Sequence, residues 1–287
     1  MMETIDLDAY FRRIGYAGPR TPTLDTLRAI HFRHPQTIPF ENLDPLLKRP
    51  VRLDLPSLEK KLVASRRGGY CFEQNALFAE VLRQLGFRIT PLAARVIWGA
   101  PEDAVRPRTH MLLRVDLEDG PYIADVGFGG ATATGPLRLV PDIEQTTPHE
   151  PFRLIRTGQP EGLVSTDDEF RKQVWLRDRW KTLYRFGLQP QLPPDYEIAN
   201  WYVSTYPPSH FINDLVAART TADRRFALLN GQLSIHHLRG ASEQRVLSSV
   251  DEVRTVLEET FELSLPEGDE LNEALARALA RPVAEKA

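Results

Sequence analysis

The hydrophobic pattern changes period near residue 87, and that change limits the chain to few architectures. Upstream, Leu24, Leu27 and Ile30 share one helical face, and Ala76, Leu77, Ala79, Val81, Leu82 and Leu85 recur at helical spacing up to a stop at Gly86. Residues 89–98 are instead β-branched and aromatic. Residues 109–117 and 121–127 flank Glu118-Asp119-Gly120, a hairpin signal, and short strands follow at 152–156, 163–165, 173–176 and 180–186. The pattern predicts an α+β multidomain chain whose strands close into a small barrel or curled sheet.

Finer signals divide the chain. A helix over 6–14 closes at Gly15, and Thr21-Pro22 opens a second with proline at its first position. Residues 39–43 read as a connector, and a helix over 56–65 leads into Gly68-Gly69. The proline-rich stretch 189–194 is the clearest boundary; beyond it come a helix at 195–203, an Asn230-Gly231 hairpin, a helix opened by Ser249-Val250-Asp251-Glu252 and a last helix over 269–280. Three units are expected: a helical 1–86, a β-barrel 87–190 and an α/β unit 191–287. A net charge of −3 argues against nucleic acid and anionic membrane surfaces as partners. The single cysteine cannot form an internal disulfide, the first ten residues lack an apolar h-region, and no apolar run has transmembrane length. A cytoplasmic location is expected.

That cysteine, Cys71, stands in Arg66-Arg67-Gly68-Gly69-Tyr70-Cys71-Phe72-Glu73-Gln74-Asn75, at the start of a helical pattern. Unpaired N–H groups and the positive end of the helix dipole favour a thiolate there, and the glycines permit close approach of a substrate. Locally, the cysteine can equally be a small buried hydrophobe. A nucleophile needs a base, and the base an orienting acceptor. Of seven histidines, His31 and His34 lie at i, i+3 on a polar-looking helix end without further ligand candidates; His236 and His237 point to opposite strand faces; His149 and His210 sit in proline-containing loops. His110 begins a strand at an edge where a loop can expose it. Asp125 lies in an apolar strand and needs a partner, either an arginine in a structural ion pair or a catalytic base. If Asp119-Gly120 forms the turn, Asp125 faces Arg114, roughly 13 Å along the strand from His110, so spacing does not establish that pair. There is no P-loop, zinc spacing, G-x-S-x-G elbow or G-x-G-x-x-G fingerprint.

Taken together, Arg67-Gly68-Gly69-Tyr70-Cys71-Phe72-Glu73-Gln74-Asn75, Pro39-Phe40-Glu41-Asn42-Leu43, Thr109-His110-Met111 and Asp125-Val126-Gly127-Phe128-Gly129 resemble the signature segments of the arylamine N-acetyltransferases. The resemblance extends through Ser204-Thr205 and Ser209-His210-Phe211, covers essentially the whole chain, and fits a bacterial-type member. It implies a helical domain, a β-barrel domain and a C-terminal α/β lid, with a cysteine-protease-like triad of Cys71, His110 and Asp125.

It also implies acetyl transfer from acetyl-CoA to arylamines, arylhydrazines or arylhydroxylamines by a ping-pong mechanism through acetyl-cysteine. Acetyl-CoA would be a co-substrate, with no permanently bound cofactor and no metal. By the same resemblance Phe40, Val96 and Phe128 would line a flat apolar slot for the amine, and Thr109, Gly129 and Gly130 would approach the CoA. Glu41 and Asn42 would support the site structurally. An amide synthase using a larger acyl group, a thiol hydrolase and a non-catalytic binding module are the competing readings. A symmetric homodimer is left open, since no sequence feature argues for or against it.

Overall fold

The computed structural model describes residues 4–157 and 168–281. Its first part is helical: α1 (Leu7–Ile14), α2 (Leu24–Thr37), the short α3 (Leu43–Leu46) and α4 (Leu55–Leu58), a π-helical turn Glu59–Ala64, and α5 (Cys71–Gln84). Asp6 caps α1, which ends on Gly15 in the left-handed conformation that glycine adopts without strain. Helix α2 starts later than Thr21-Pro22 predicts. The Thr23 hydroxyl accepts the Thr26 N–H and is the true cap, which leaves Pro22 outside the helix.

Eight antiparallel strands form the second layer: β2 (Arg88–Val96), β3 (His110–Leu117), β4 (Gly120–Ala124), β5 (Leu137–Arg138), β6 (Glu144–Gln145), β7 (Phe152–Thr157), β8 (Glu169–Leu176) and β9 (Arg179–Gly187). Their order, β5-β4-β3-β2-β9-β8-β7-β6, curls into a nearly closed barrel. The two edges meet through Gln145, whose carboxamide exchanges hydrogen bonds with the Arg138 N–H and carbonyl at 2.7 and 2.9 Å. The expected strand at 163–165 lies outside the described residues.

The register of one hairpin matters for the site. Leu117 pairs with Gly120 and Leu113 with Ala124, so the turn is Glu118-Asp119 and not Asp119-Gly120. Gly120, at φ +126°, is the first residue of the returning strand, a conformation that other residues rarely adopt. This slides β4 by two residues relative to the expected register. Continuing the ladder one residue past Ala124 puts Asp125 opposite Leu112, on the same face as His110 and only two residues from it.

The third part comprises α6 (Pro193–Thr205), α7 (His210–Asn213), β10 (Val216–Thr220), β11 (Arg224–Leu229), β12 (Gln232–His237), β13 (Glu243–Val246), α8 (Val250–Thr255) with a π-helical continuation Val256–Thr260, and α9 (Asp269–Leu279). Asn230-Gly231 makes the expected two-residue turn between β11 and β12. The Ser249 hydroxyl caps α8, while Glu252 reaches back one residue further, to the Ser248 N–H. One element crosses over. Phe40-Glu41, read as a connector, is β1, the edge strand of this C-terminal sheet, ordered β1-β10-β11-β12-β13.

The packing explains why β3 lacks a clean alternation. Met111, Leu113 and Val115 pack with Phe78, Val81 and other helical residues, whereas Leu112 faces the barrel interior with Leu92, Phe152 and Phe170. A strand buried on both faces reads as a continuous apolar run.

Candidate active site

The nucleophile candidate is held by a turn with no spare room. Arg67 donates through Nε and Nη2 to Glu41 Oε1 at 2.9 and 2.7 Å, and Glu41 Oε2 accepts the Leu43 N–H. Lys61 bridges Asp44 and Glu73, each at 2.6 Å. Glu73 Oε2 in turn accepts the Tyr70 N–H at 3.0 Å, one of the orphan donors at the start of α5. Burial in this cluster raises the Glu73 carboxyl to about 7, against the opposing pull of Lys61. A Cβ on Gly68 would lie 2.1 Å from the Pro39 carbonyl oxygen, so only glycine passes there.

Gln74 ties the same turn down from below. Its Nε2 donates to the carbonyls of Ile38, Pro39 and Gly69, and its Oε1 accepts from His34 Nε2 at 2.6 Å. His34 Nδ1 is therefore an acceptor, filled by the Tyr10 hydroxyl at 2.8 Å. His31 and His34 are fully buried, not on a polar helix end, and burial lowers them to about 3 and about 4. Both act as neutral structural groups.

Cys71 is the first residue of α5 and 4% exposed. Its Sγ lies 3.6 Å from the Thr109 carbonyl, immediately before His110. His110 Nε2 donates to Asp125 Oδ2 at 2.9 Å, which leaves Nδ1 for the Cys71 sulfur, a neighbour near enough to favour the charged ring. The separation feared from the sequence disappears because of the two-residue register difference. Burial disfavours the imidazolium, yet Asp125, through its charge and its hydrogen bond, and the neighbouring Cys71 overcome it and raise His110 to about 9.

Among the described residues no arginine pairs with Asp125; its environment is built around His110. Oδ2 also accepts from the Tyr184 hydroxyl at 2.8 Å and faces Lys172 Nζ at 3.5 Å. Oδ1 accepts from Asn75 Nδ2 and the Gly127 N–H, both at 3.1 Å, and the Asp125 N–H donates to His31 Nε2. Burial alone would push this carboxyl up; His110, Lys172 and Tyr184 hold it well below the usual carboxylate range. Asn75, one turn after Cys71, also donates to the Met111 carbonyl and accepts the Val126 N–H. The helix that presents the sulfur thus also fixes the acid.

A family profile described as N-acetyltransferase matches residues 23–270. The arylamine N-acetyltransferase of Escherichia coli K12 is 45% identical over 260 residues, covering 90% of this chain and 89% of that protein. The arylamine N-acetyltransferase / N-hydroxyarylamine O-acetyltransferase of Salmonella typhimurium is 41% identical over 260 residues, again covering 90% and 89%. The solved structure of the Mycobacterium marinum arylamine N-acetyltransferase in complex with CoA superimposes with a TM-score of 0.87 at 39% identity, covering 95% of this chain and 99% of that one. The chain belongs to the arylamine N-acetyltransferase family.

The other expected site residues fall into two groups. Phe128 lies edge-on to His110, ring centroids 5.3 Å apart, and packs on Tyr184 at 5.5 Å. Val96 pairs with Tyr184 across β2 and β9, two residues from Ala94, the cross-strand partner of His110, and so shares the face that carries the histidine. Phe40, on β1, packs against Phe211 with centroids 6.0 Å apart, and a Cβ on Gly129 would lie 3.5 Å from its ring. Gly129 takes φ +86°, which glycine tolerates best, and Gly130 is exposed beside Ala227. Tyr184, Lys172, Asn75 and His31 were not anticipated as site residues. Asn75 alone carried a signal, being one helical turn from Cys71; the others arrive from strands and a helix whose pairing the sequence does not state. Among the described residues there is no group of three or more His, Cys, Asp or Glu placed to hold a metal, and no helix long and apolar enough to cross a membrane.

Proposed function

We propose that this protein transfers the acetyl group of acetyl-CoA to the nitrogen of arylamines or arylhydrazines, or to the oxygen of arylhydroxylamines, through an acetyl-Cys71 intermediate. The observation that carries the reading is His110 bonded to a buried, ionised Asp125, with the Cys71 sulfur against the carbonyl of the preceding residue, Thr109. His110 takes the thiol proton, and Asp125 fixes the imidazole and supports its charge. The thiolate adds to the thioester carbonyl, and N–H groups at the start of α5 are placed to stabilise the oxyanion. The tetrahedral adduct expels the CoA thiolate, which takes the proton from His110 and leaves as thiol. The amine then attacks acetyl-Cys71, His110 accepts its proton, and the amide departs as the thiolate–imidazolium pair is restored.

Cys71, His110 and Asp125 are the catalytic residues in this reading. Phe40, Val96 and Phe128 form the wall for the aromatic ring; Thr109, Gly129 and Gly130 form the approach for the CoA thioester arm. The division into units 1–86, 87–190 and 191–287 belongs to the same reading, supported by a first part rich in helices, an eight-stranded sheet within 88–187 and a second sheet mostly within 216–246. A cytoplasmic location suits a lone thiol that must stay reduced. Every group invoked lies on one chain, so a symmetric homodimer is allowed and not required.

Steady-state kinetics test the proposal. Varying acetyl-CoA at several fixed arylamine concentrations gives parallel double-reciprocal lines, with one N-acetylated amine formed per CoA released. CoA release that does not depend on the amine would instead make the protein a hydrolase.

A further inference from the structure

The mechanism above leaves one buried charge without a task. Lys172, on β8, has a side chain only 1% exposed in the barrel interior, where lone ammonium groups are rare and costly. It stands opposite Tyr184 in register, just before the β-bulge at Lys172/Gln173. Its Nζ lies 3.5 Å from Asp125 Oδ2 and 5.1 and 5.4 Å from the ring centroids of Tyr184 and Phe152. Among the described residues Asp125 is the only acid paired with it. Burial lowers the ammonium and Asp125 opposes that; Tyr184, His31 and Arg225 also lie within its reach, and none of the three supplies a counter-charge.

The charge balance over the catalytic cycle gives Lys172 a purpose. In the resting pair the sulfur and Asp125 are negative and His110 is positive. In the acetyl-enzyme the sulfur and His110 are neutral and Asp125 is still negative. Without Lys172 each state buries one net negative charge, and in the second state Asp125 has no cation at all. We propose that Lys172 is a positioning residue that keeps Asp125 ionised while His110 is neutral, so that His110 is free to accept the proton of the incoming amine. This rests on the acyl-transfer reading. The aromatic faces of Tyr184 and Phe152 favour the ammonium electrostatically, and the Tyr184 hydroxyl binds the same carboxylate oxygen, so the three residues form one support.

The sign of the effect follows. A cation within about 4–6 Å of a carboxylate moves a pKa by roughly 1–3 units. With the cation removed, the His110–Asp125 pair keeps its proton to higher pH, and the neutral imidazole needed for amine transfer appears later. The experiment compares wild type with Lys172→Met, Lys172→Gln and Lys172→Arg by NMR titration of the His110 ring and by the pH profile of amine-dependent turnover. Thermal melting selects the folded variants. The expected result for Met and Gln is a His110 midpoint raised by about 1 unit or more, with the acid limb of turnover moving equally and the rate on that limb falling about tenfold per unit. Lys172→Arg stays at the wild-type position. A folded Met or Gln variant with an unmoved His110 midpoint overturns the proposal, whatever its rate. Failure of the wild type to acetylate Cys71 would instead refute the acyl-transfer reading, and the ring titration, which needs no acetyl-CoA, separates the two.

Discussion

Gly127 is where the Asp125 loop passes over the helix that begins at Cys71, and replacing it with alanine isolates one consequence of that contact. A Cβ there would sit 2.9 Å from Cys71 Cα, 3.1 Å from the Cys71 carbonyl oxygen and 2.8 Å from Asn75 Nδ2. Two of these neighbours are backbone, which cannot rotate aside. Ordinary contact begins at 3.4 Å, so loop and helix must part by about half an ångström at the point that sets the sulfur against His110. The backbone of Gly127 is not in the left-handed region, so the effect is one of space alone. Overpacking of this kind costs about 1–3 kcal/mol. For a chain of this size that lowers the melting temperature by about 2–5 °C. Misplacing reacting groups by about 1 Å costs about 100-fold in rate, which bounds the effect of a half-ångström shift from above. The assay is differential scanning calorimetry beside kcat/KM for an arylamine, with Gly135→Ala as control, where a Cβ finds ordinary contact at 3.9 Å from Pro148. Wild-type melting and turnover in Gly127→Ala would refute the account of how α5 and the Asp125 loop are joined.

Arg67→Met leaves Glu41, whose side chain is fully buried, without the cation that donates twice to its Oε1, and chemical denaturation should show a loss of about 3–5 kcal/mol. The pH dependence of stability follows from the His110–Asp125 pair. His110, raised from 6.5 to about 9, adds stability that is fully present below about 6.5 and lost as pH rises through about 9. Asp125, held below its ordinary 3.8, adds stability that is present above that pH and lost only in stronger acid. The melting difference between wild type and Asp125→Asn should therefore be largest between about pH 4 and 6.5 and shrink towards pH 9; a difference flat across that range would contradict it.

The elements themselves were largely legible. Gly15, Gly86, Asn230-Gly231 and Ser249 mark ends and turns by local chemistry, and the structure puts them where that chemistry demands. What escaped were matters of pairing. Phe40-Glu41 has too few residues to display a strand period, and its role as an edge strand depends on β10, nearly two hundred residues away. The Glu118-Asp119 turn and the neighbouring Asp119-Gly120 choice differ by one position, yet that choice decided whether Asp125 could reach His110. Lys172 and Tyr184 belong to strands whose polar members look like surface residues until the barrel curls and turns them inward. His34 looked like a polar helix end because its partners, Tyr10 and Gln74, come from two other helices. The grouping of Cys71, His110 and Asp125 was expected from a resemblance to a family and not from spacing, because sequence distance carries no register.

The central claim is that Cys71 carries the acetyl group, and the intact mass of the pure protein after incubation with acetyl-CoA and no amine tests it most directly. The account predicts a gain of one acetyl group in the wild type, none in Cys71→Ala, and discharge of the adduct when an arylamine is added. An acetylated Cys71→Ala protein, or a wild type that turns over an arylamine without ever carrying the adduct, would contradict it.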